Sequence, residues 1–76
     1  MAADFKFEII ESYGTFSEKG DYTKEINLIR YGDREPVVDI RNWTNIDGDK
    51  KMGKGITISK AEFEEFQKLI SEVEVE

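Results

Sequence analysis

The residues that could carry chemistry lie between positions 36 and 58, where one aromatic side chain and several cations come close together along the chain. Arg41 and Trp43 alternate with small apolar residues in an extended run, and three lysines follow a polar turn: Lys50, Lys51 and Lys54. A flat ring beside cations suits an unpaired nucleic-acid strand, because bases stack on the ring and phosphates pair with the cations. A solvated hairpin with a half-buried tryptophan explains the same residues equally well.

The pattern of this segment predicts a β-hairpin. Residues 37–43 alternate so that Val38 and Ile40 share one face of a strand, while Asp39, Arg41 and Trp43 share the other. The dipeptide at 47–48, Asp-Gly, suits a tight reversal, and a second strand then ends at Ile58. Because Asp39 and Arg41 share a face, an ion pair between them is a structural alternative to a phosphate contact.

The same hairpin resembles the positive cofactor four family of transcriptional coactivators, which bind single-stranded DNA. In that family a D-I-R-E-Y/W segment leads through an acidic, glycine-containing turn into K-x-G-[RK]-K-G-I-S. Residues 38–41, Val-Asp-Ile-Arg, are similar to the first part, and residues 53–56, Gly-Lys-Gly-Ile, to the second. The resemblance spans roughly Tyr22 to Val73 and is greatest to the bacterial YdbC-like branch. The connector is shorter than in the eukaryotic proteins, and Gly53 lacks the preceding proline.

The resemblance implies a set of nucleic-acid contacts on one sheet face. Tyr31 lies where the family has a stacking aromatic, and Arg41 and Lys54 align with its DNA-contacting basic positions. Together with the cations and the ring near the hairpin, the predicted binding residues are Lys24, Tyr31, Arg34, Arg41, Trp43, Lys50, Lys51 and Lys54. Further candidates, whose face the sequence does not fix, are Phe5, Lys6, Phe16, Tyr22 and Arg30.

The rest of the chain supplies two more strands. Residues 5–11 alternate apolar and polar side chains, and Gly14 predicts a bend or bulge in a continuation through residues 13–16. Residues 17–21 and 32–36 are predicted turns, and residues 22–31 are predicted to form the strand between them. Short turns between successive strands indicate a single α+β domain over residues 1–76, a curved four-stranded antiparallel meander followed by one helix, ββββα.

The C-terminal segment predicts a helix from Lys60 to about Glu74. Ser59 and Glu62 have the spacing of a capping box. An apolar stripe recurs at helical spacing: Phe63, Phe66, Ile70 and Val73. This stripe would cover one sheet face. The resemblance implies a dimer, so we expect the stripe also to pack against a second copy of the chain. The sheet face without the helix is the predicted binding surface.

Composition excludes most enzymatic chemistry. The 76 residues include no histidine and no cysteine, so the commonest general base, the thiolate nucleophile and most zinc sites are absent. We predict no cofactor, no metal site and no catalysis. The net charge of −6 opposes nucleic-acid binding at first sight, but residues 61–76 hold six glutamates against one lysine. The local field governs binding to a strand, so the acidic tail leaves that function open.

Two function classes therefore remain. The first is a binder of single-stranded DNA or RNA with little sequence preference, which acts as a homodimer in transcription, replication or repair. The second is a protein-interaction module whose sheet aromatics and acidic tail contact a polymerase or a transcription regulator. The chain has no apolar run long enough to span a membrane and no signal peptide, so we expect a cytoplasmic protein.

Overall fold

The structure is a computed structural model that describes residues 6–75, and it has the predicted ββββα order. Each strand pairs antiparallel with its neighbour in sequence, so the sheet order is β1-β2-β3-β4. The elements are β1 (Phe7–Lys19), β2 (Tyr22–Tyr31), β3 (Val37–Ile46), β4 (Asp49–Ile58) and α1 (Lys60–Ile70). The predicted fold class is confirmed.

The β3–β4 hairpin turns at the predicted dipeptide. Ile46 pairs with Asp49, so the loop contains only Asp47 and Gly48. Both residues have positive φ, 53° and 82° respectively, as a two-residue primed turn requires. Asp tolerates this conformation better than most side chains and Gly adopts it freely, which explains why the sequence reverses here.

Strand β1 is longer than the pattern predicts, because it continues through the predicted turn at residues 17–21 as far as Lys19. It bends through three register shifts against β2, which leave Ile10, Tyr13 and Phe16 unpaired. The bulge expected near Gly14 is therefore present, with one more on either side of it. Since each bulge adds local twist, the strand can stay paired while it curves. Phe5, the predicted start of this strand, lies outside the described residues.

Helix α1 begins as predicted and ends earlier. Ser59 accepts a hydrogen bond from the Glu62 N–H, and the Glu62 carboxylate accepts one from the Ser59 N–H, which completes the capping box. The helix ends at Ile70, where the Ser71 hydroxyl donates to the Lys68 carbonyl at 2.7 Å. Glutamates follow at 72 and 74, and their charge is unfavourable beside the negative end of the helix dipole.

The register assigns each sheet residue to one of two faces. The helix-side face carries the even-numbered residues of β2 and β3, and Ile26 lines a groove there with Phe63, Phe66 and Ile70 of the helix. The inner face carries the odd-numbered residues of both strands. On it, the rings of Phe7 and Trp43 meet with centroids 5.7 Å apart although their strands are separated by β2. The sheet therefore curves toward the inner face.

The inner face is filled by its own side chains. Ile29 and Trp43 are fully buried there, together with three polar residues, Glu25, Asn27 and Asp39. The carboxylates of Glu25 and Asp39 are hydrogen-bonded, as buried charges require, whereas the Asn27 amide oxygen and the Trp43 indole N–H have no hydrogen-bond partner among the described residues. The centre of the helix-free face, the predicted binding surface, is therefore occupied by the protein's own side chains, and that prediction stays untested.

Candidate nucleic-acid interface

The eight predicted contact residues fall into three groups in the structure. Four lie on the inner face or point into it: Tyr31, Arg41, Trp43 and Lys50. Three lie on the helix-side face, near the β1–β2 and β3–β4 turns: Lys24, Lys51 and Lys54. Arg34 lies in the β2–β3 turn, at the other end of the sheet. The predicted residues thus do not form one surface.

Arg41 is the centre of a hydrogen-bonded network on the inner face. Its guanidinium donates to both carboxylate oxygens of Asp39 at 2.6 Å and to the Gly53 carbonyl at 2.9 Å. Tyr31 donates its hydroxyl hydrogen to Asp39 at 2.6 Å. The Asp39 bond raises the pKa of Arg41, and burial followed by the Asp39 bond raises the pKa of Tyr31 to about 12. The structural alternative, an Asp39–Arg41 pair, is the arrangement observed.

Trp43 occupies a different environment from the one its predicted role requires. Its side chain is 0% exposed, with the Phe7 ring on one side and the Lys50 ammonium 5.0 Å from its ring centroid. A nucleobase can stack only on a ring face that solvent can reach. In this conformation Trp43 packs the curved sheet and offers no such face to solvent, so its stacking role stays a prediction that would require the ring to become exposed.

Lys50 is held by an internal carboxylate. Its ammonium donates to both oxygens of Glu25 at 2.7 Å, and Glu25 also accepts from the Thr23 hydroxyl at 2.7 Å. Burial alone would raise the pKa of Glu25, but the bonds from Lys50, Thr23 and Asn27 outweigh burial and hold the pKa below its ordinary value. Lys50 is therefore already paired with an internal carboxylate, although its side chain is 38% exposed.

At the end away from the helix, the helix-side face of the sheet carries a group of unpaired lysines. Two neighbouring rows of paired residues cross the four strands there. The first row is Lys19, Tyr22, Thr44 and Lys51, and the second is Ser17, Lys24, Asn42 and the Gly53–Lys54 bulge. We call this surface the basic end and define it by its four lysines, Lys19, Lys24, Lys51 and Lys54. None of the four has an ion-pair partner among residues 6–75. Glu18 and Glu25, the sequence neighbours of Lys19 and Lys24, lie on the inner face of the sheet, and the acidic residues at 21, 47 and 49 lie in or beside the two turns.

The bulge in β4 shapes this surface. Asn42 faces both Gly53 and Lys54, because β4 has one extra residue between Met52 and Gly55. A Cβ on Gly53 would lie 2.9 Å from the Asn42 carbonyl oxygen, and a Cβ on Gly55 would overlap that of Arg41. Glycine is needed at both positions for β3 and β4 to approach this closely. The bulge also places Lys54 on the same groove as Lys24.

A shallow groove of about 270 Å³ lies beside the bulge. It is lined by Phe16, Lys24, Ile40, Arg41, Asn42 and Lys54. The groove combines two unpaired ammonium groups, an exposed ring and an amide side chain, which is the composition that an unpaired strand requires. Neither the groove nor the basic end contains a group of acidic side chains placed to hold a metal ion, and the described residues as a whole contain none.

Lys19 is not among the predicted contacts, and the sequence does not assign a face to Phe16 and Tyr22. The pattern predicts a five-residue turn around Lys19, whereas the observed turn contains only Gly20 and Asp21, with Lys19 paired to Tyr22. The dipeptide Gly-Asp is itself a recognised two-residue hairpin loop, and reading it as such places Lys19 and Tyr22 opposite each other. The face of Phe16 depends on the bulges of β1, for which the sequence carries no comparable signal.

Comparison with known proteins agrees with this fold. Residues 18–69 match the family described as Transcriptional Coactivator p15 (PC4), a match that begins near the end of β1 and ends within α1. The chain is also similar to an uncharacterized protein of Treponema pallidum (strain Nichols), with 33% identity over 75 residues, 96% of this chain and 85% of the relative. No helix among the described residues is long and apolar enough to cross a membrane.

Proposed function

Since the chain belongs to the Transcriptional Coactivator p15 (PC4) family, we propose that it binds single-stranded DNA through the basic end, with little preference for base sequence. The observation that carries the proposal is the group of four unpaired lysines beside the exposed ring of Tyr22. A coactivator-like role in transcription, replication or repair is the corresponding expectation from the family.

Charge supports this assignment of the surface. A cation that already has an internal carboxylate gains little from a phosphate, whereas a solvated, unpaired lysine releases counterions when it binds one. Lys24, Lys51 and Lys54 meet the second description, while Arg41 and Lys50 meet the first. The proposal therefore keeps three of the predicted contacts, adds Lys19, and leaves Arg34 as a separate test at the far end of the sheet.

Stacking supports it as well. Tyr22 is 62% exposed and lies in the row between Lys19 and Thr44, so a base could cover its ring while the neighbouring lysines meet the phosphates. Contacts of this kind do not read the edges of bases, and every base offers a face. Affinity should then be nearly independent of sequence.

Fluorescence anisotropy with labelled oligo-dT tests this proposal. We expect binding that weakens as salt increases, and competition by unlabelled single strands of mixed sequence that is nearly as strong as that by oligo-dT. Duplex DNA should compete poorly, since its bases are stacked inward and offer Tyr22 no face. Equal competition by duplex at the same nucleotide concentration would contradict stacking. Absence of oligo-dT binding would favour the alternative, a protein-interaction module that contacts the transcription machinery.

We also propose that the chain acts as a homodimer through the apolar side of α1. No residue of the helix is buried, although Phe63 and Phe66 stack on each other with centroids 6.1 Å apart and line the groove against Ile26. Ile70 and Val73 are 52% and 62% exposed, and Val73 lies just beyond the helix end. A second copy of the same helix would cover these side chains, which is the usual solution for a domain this small.

Sedimentation equilibrium tests the dimer. At micromolar concentration we expect the mass of two chains and not the 8.8 kDa of one. Ile70→Asp should shift the mass to that of one chain, because the side chain is half exposed in the single chain but would become a buried charge in the dimer. Val75→Asp is the matched control, since Val75 is exposed and lies outside the helix. A wild-type chain that sediments at 8.8 kDa throughout would refute the dimer.

A further inference from the structure

The three bulges of β1 expose three large apolar side chains at regular intervals. Ile10, Tyr13 and Phe16 are the residues left unpaired by the three register shifts against β2, and all three are exposed. Most of this strand precedes residue 18, where the match to the coactivator family begins. Whatever these side chains do is therefore a property of a part of the chain that the matched segment does not include.

Only Phe16 of the three lines the groove of the basic end. It is 58% exposed and faces the same space as Lys24 and Lys54. The ring contacts among residues 6–75 join Phe7 to Tyr31 and Trp43, and Phe63 to Phe66, so Phe16 has no aromatic partner there. The ring therefore offers solvent, beside two unpaired ammonium groups, a face on which a nucleobase could stack.

We propose that Phe16 is a base-stacking residue, so that β1 adds a stacking position to the groove formed by Lys24, Asn42 and Lys54. This inference rests on the proposed binding of single-stranded DNA. In the proposed complex, one nucleobase lies on the Phe16 ring, and the phosphates on either side of that nucleotide contact the ammonium groups of Lys24 and Lys54. Phe16 then provides the contact that the sequence assigns to Trp43, whose own ring is buried.

Charge identifies the occupant of the groove as a nucleic-acid strand. Two lysines without internal carboxylate partners line it, and its lining contains no acidic side chain. An apolar peptide would bury both ammonium groups against uncharged atoms, which removes their solvation and supplies no counter-charge. A single strand supplies both an aromatic face and phosphate anions, the two kinds of group that the ring and the cations can bind.

The test compares Phe16→Ala with Tyr13→Ala in the full chain. Tyr13 is the matched control because it is an exposed aromatic at the preceding bulge of the same strand and does not line the groove. We expect Phe16→Ala to weaken oligo-dT binding by about 5- to 150-fold, the equivalent of one stacked base, and Tyr13→Ala to leave it within about 2-fold. The slope of log affinity against log salt should be the same in both, since no phosphate contact is removed.

A second variant gives a direct signal. In Phe16→Trp the new indole should be solvated in the free protein and should lose fluorescence when oligo-dT is added, whereas the buried Trp43 of the wild type should respond little. Circular dichroism must show that each variant is folded. If the wild type binds oligo-dT but Phe16→Ala behaves as Tyr13→Ala does, and the Phe16→Trp signal is unquenched, the inference is overturned while the proposed function stands. If the wild type does not bind, both fail.

Discussion

Replacing Arg41 with alanine is expected to lower the free energy of unfolding by about 3–5 kcal/mol, the usual result of removing one member of a buried ion pair. Asp39 is 0% exposed and accepts two bonds from Arg41, so the variant would leave a buried carboxylate with only the Tyr31 hydroxyl. The Gly53 carbonyl would also lose its donor, which loosens the bulge beside Lys54. Because small domains have only about 5–15 kcal/mol of total stability, the variant should unfold at much lower denaturant.

Urea unfolding at a single protein concentration measures this effect. Arg30→Ala is the matched control, because Arg30 also pairs with a carboxylate, Glu8, but at 3.5 Å and on the surface. Arg30→Ala should lower the free energy of unfolding by at most about 1 kcal/mol. Adding Asp39→Asn to Arg41→Ala should recover part of the loss, since the buried charge is removed along with its partner. If Arg41→Ala and Arg30→Ala prove equally stable, the inner-face network is not a structural core.

Removing the two lysines of the groove should produce the largest change in binding. If Lys24 and Lys54 each contact one phosphate, the double variant Lys24→Ala/Lys54→Ala loses about 0.7 from the salt slope for each contact. Two such contacts correspond to an affinity about 25-fold lower at 0.1 M salt, for proteins that bind equally at 1 M. Both side chains are solvated and unpaired within the described chain, so the fold should be unaffected.

Local sequence signals were sufficient for most of the fold. The Asp-Gly turn, the capping box at Ser59 and the alternation from Val37 to Trp43 each depend on neighbouring residues, and each appears in the structure as predicted. The length of β1 was missed because its three bulges shift the alternation every three residues and hide the strand. Bulges depend on how two strands fit together, which the pattern of one strand does not contain.

The sequence could not assign the candidate cations to the faces of the sheet, because it shows only their proximity along the chain. Lys50 and Lys51 are adjacent in the sequence but point to opposite faces, and only Lys51 joins the basic end. Lys24 and Lys54 are 30 positions apart and meet through the register of β2, β3 and β4. A strand has a period of two residues, so an assignment to a face requires the register and not merely the residue type.

The burial of Trp43 also could not be predicted from the alternation of its own strand. The alternation places it correctly on the face of Asp39 and Arg41, but its exposure depends on the curvature that brings Phe7 of β1 across β2. Curvature arises from the bulges of β1, so the sequence could indicate that the ring lies on the helix-free face but not that it is covered.

The most direct test of the basic end is a salt titration of oligo-dT binding by the wild type, by Lys24→Ala/Lys54→Ala and by Arg34→Ala. Arg34 is an exposed cation in the β2–β3 turn, at the opposite end of the sheet, so its loss removes one positive charge, half the change in the double variant, without touching the groove. We predict that the double variant lowers the salt slope by about 1.4 and that Arg34→Ala leaves it unchanged. An unchanged slope in the double variant, or an equal loss per charge at Arg34, would contradict binding at the basic end.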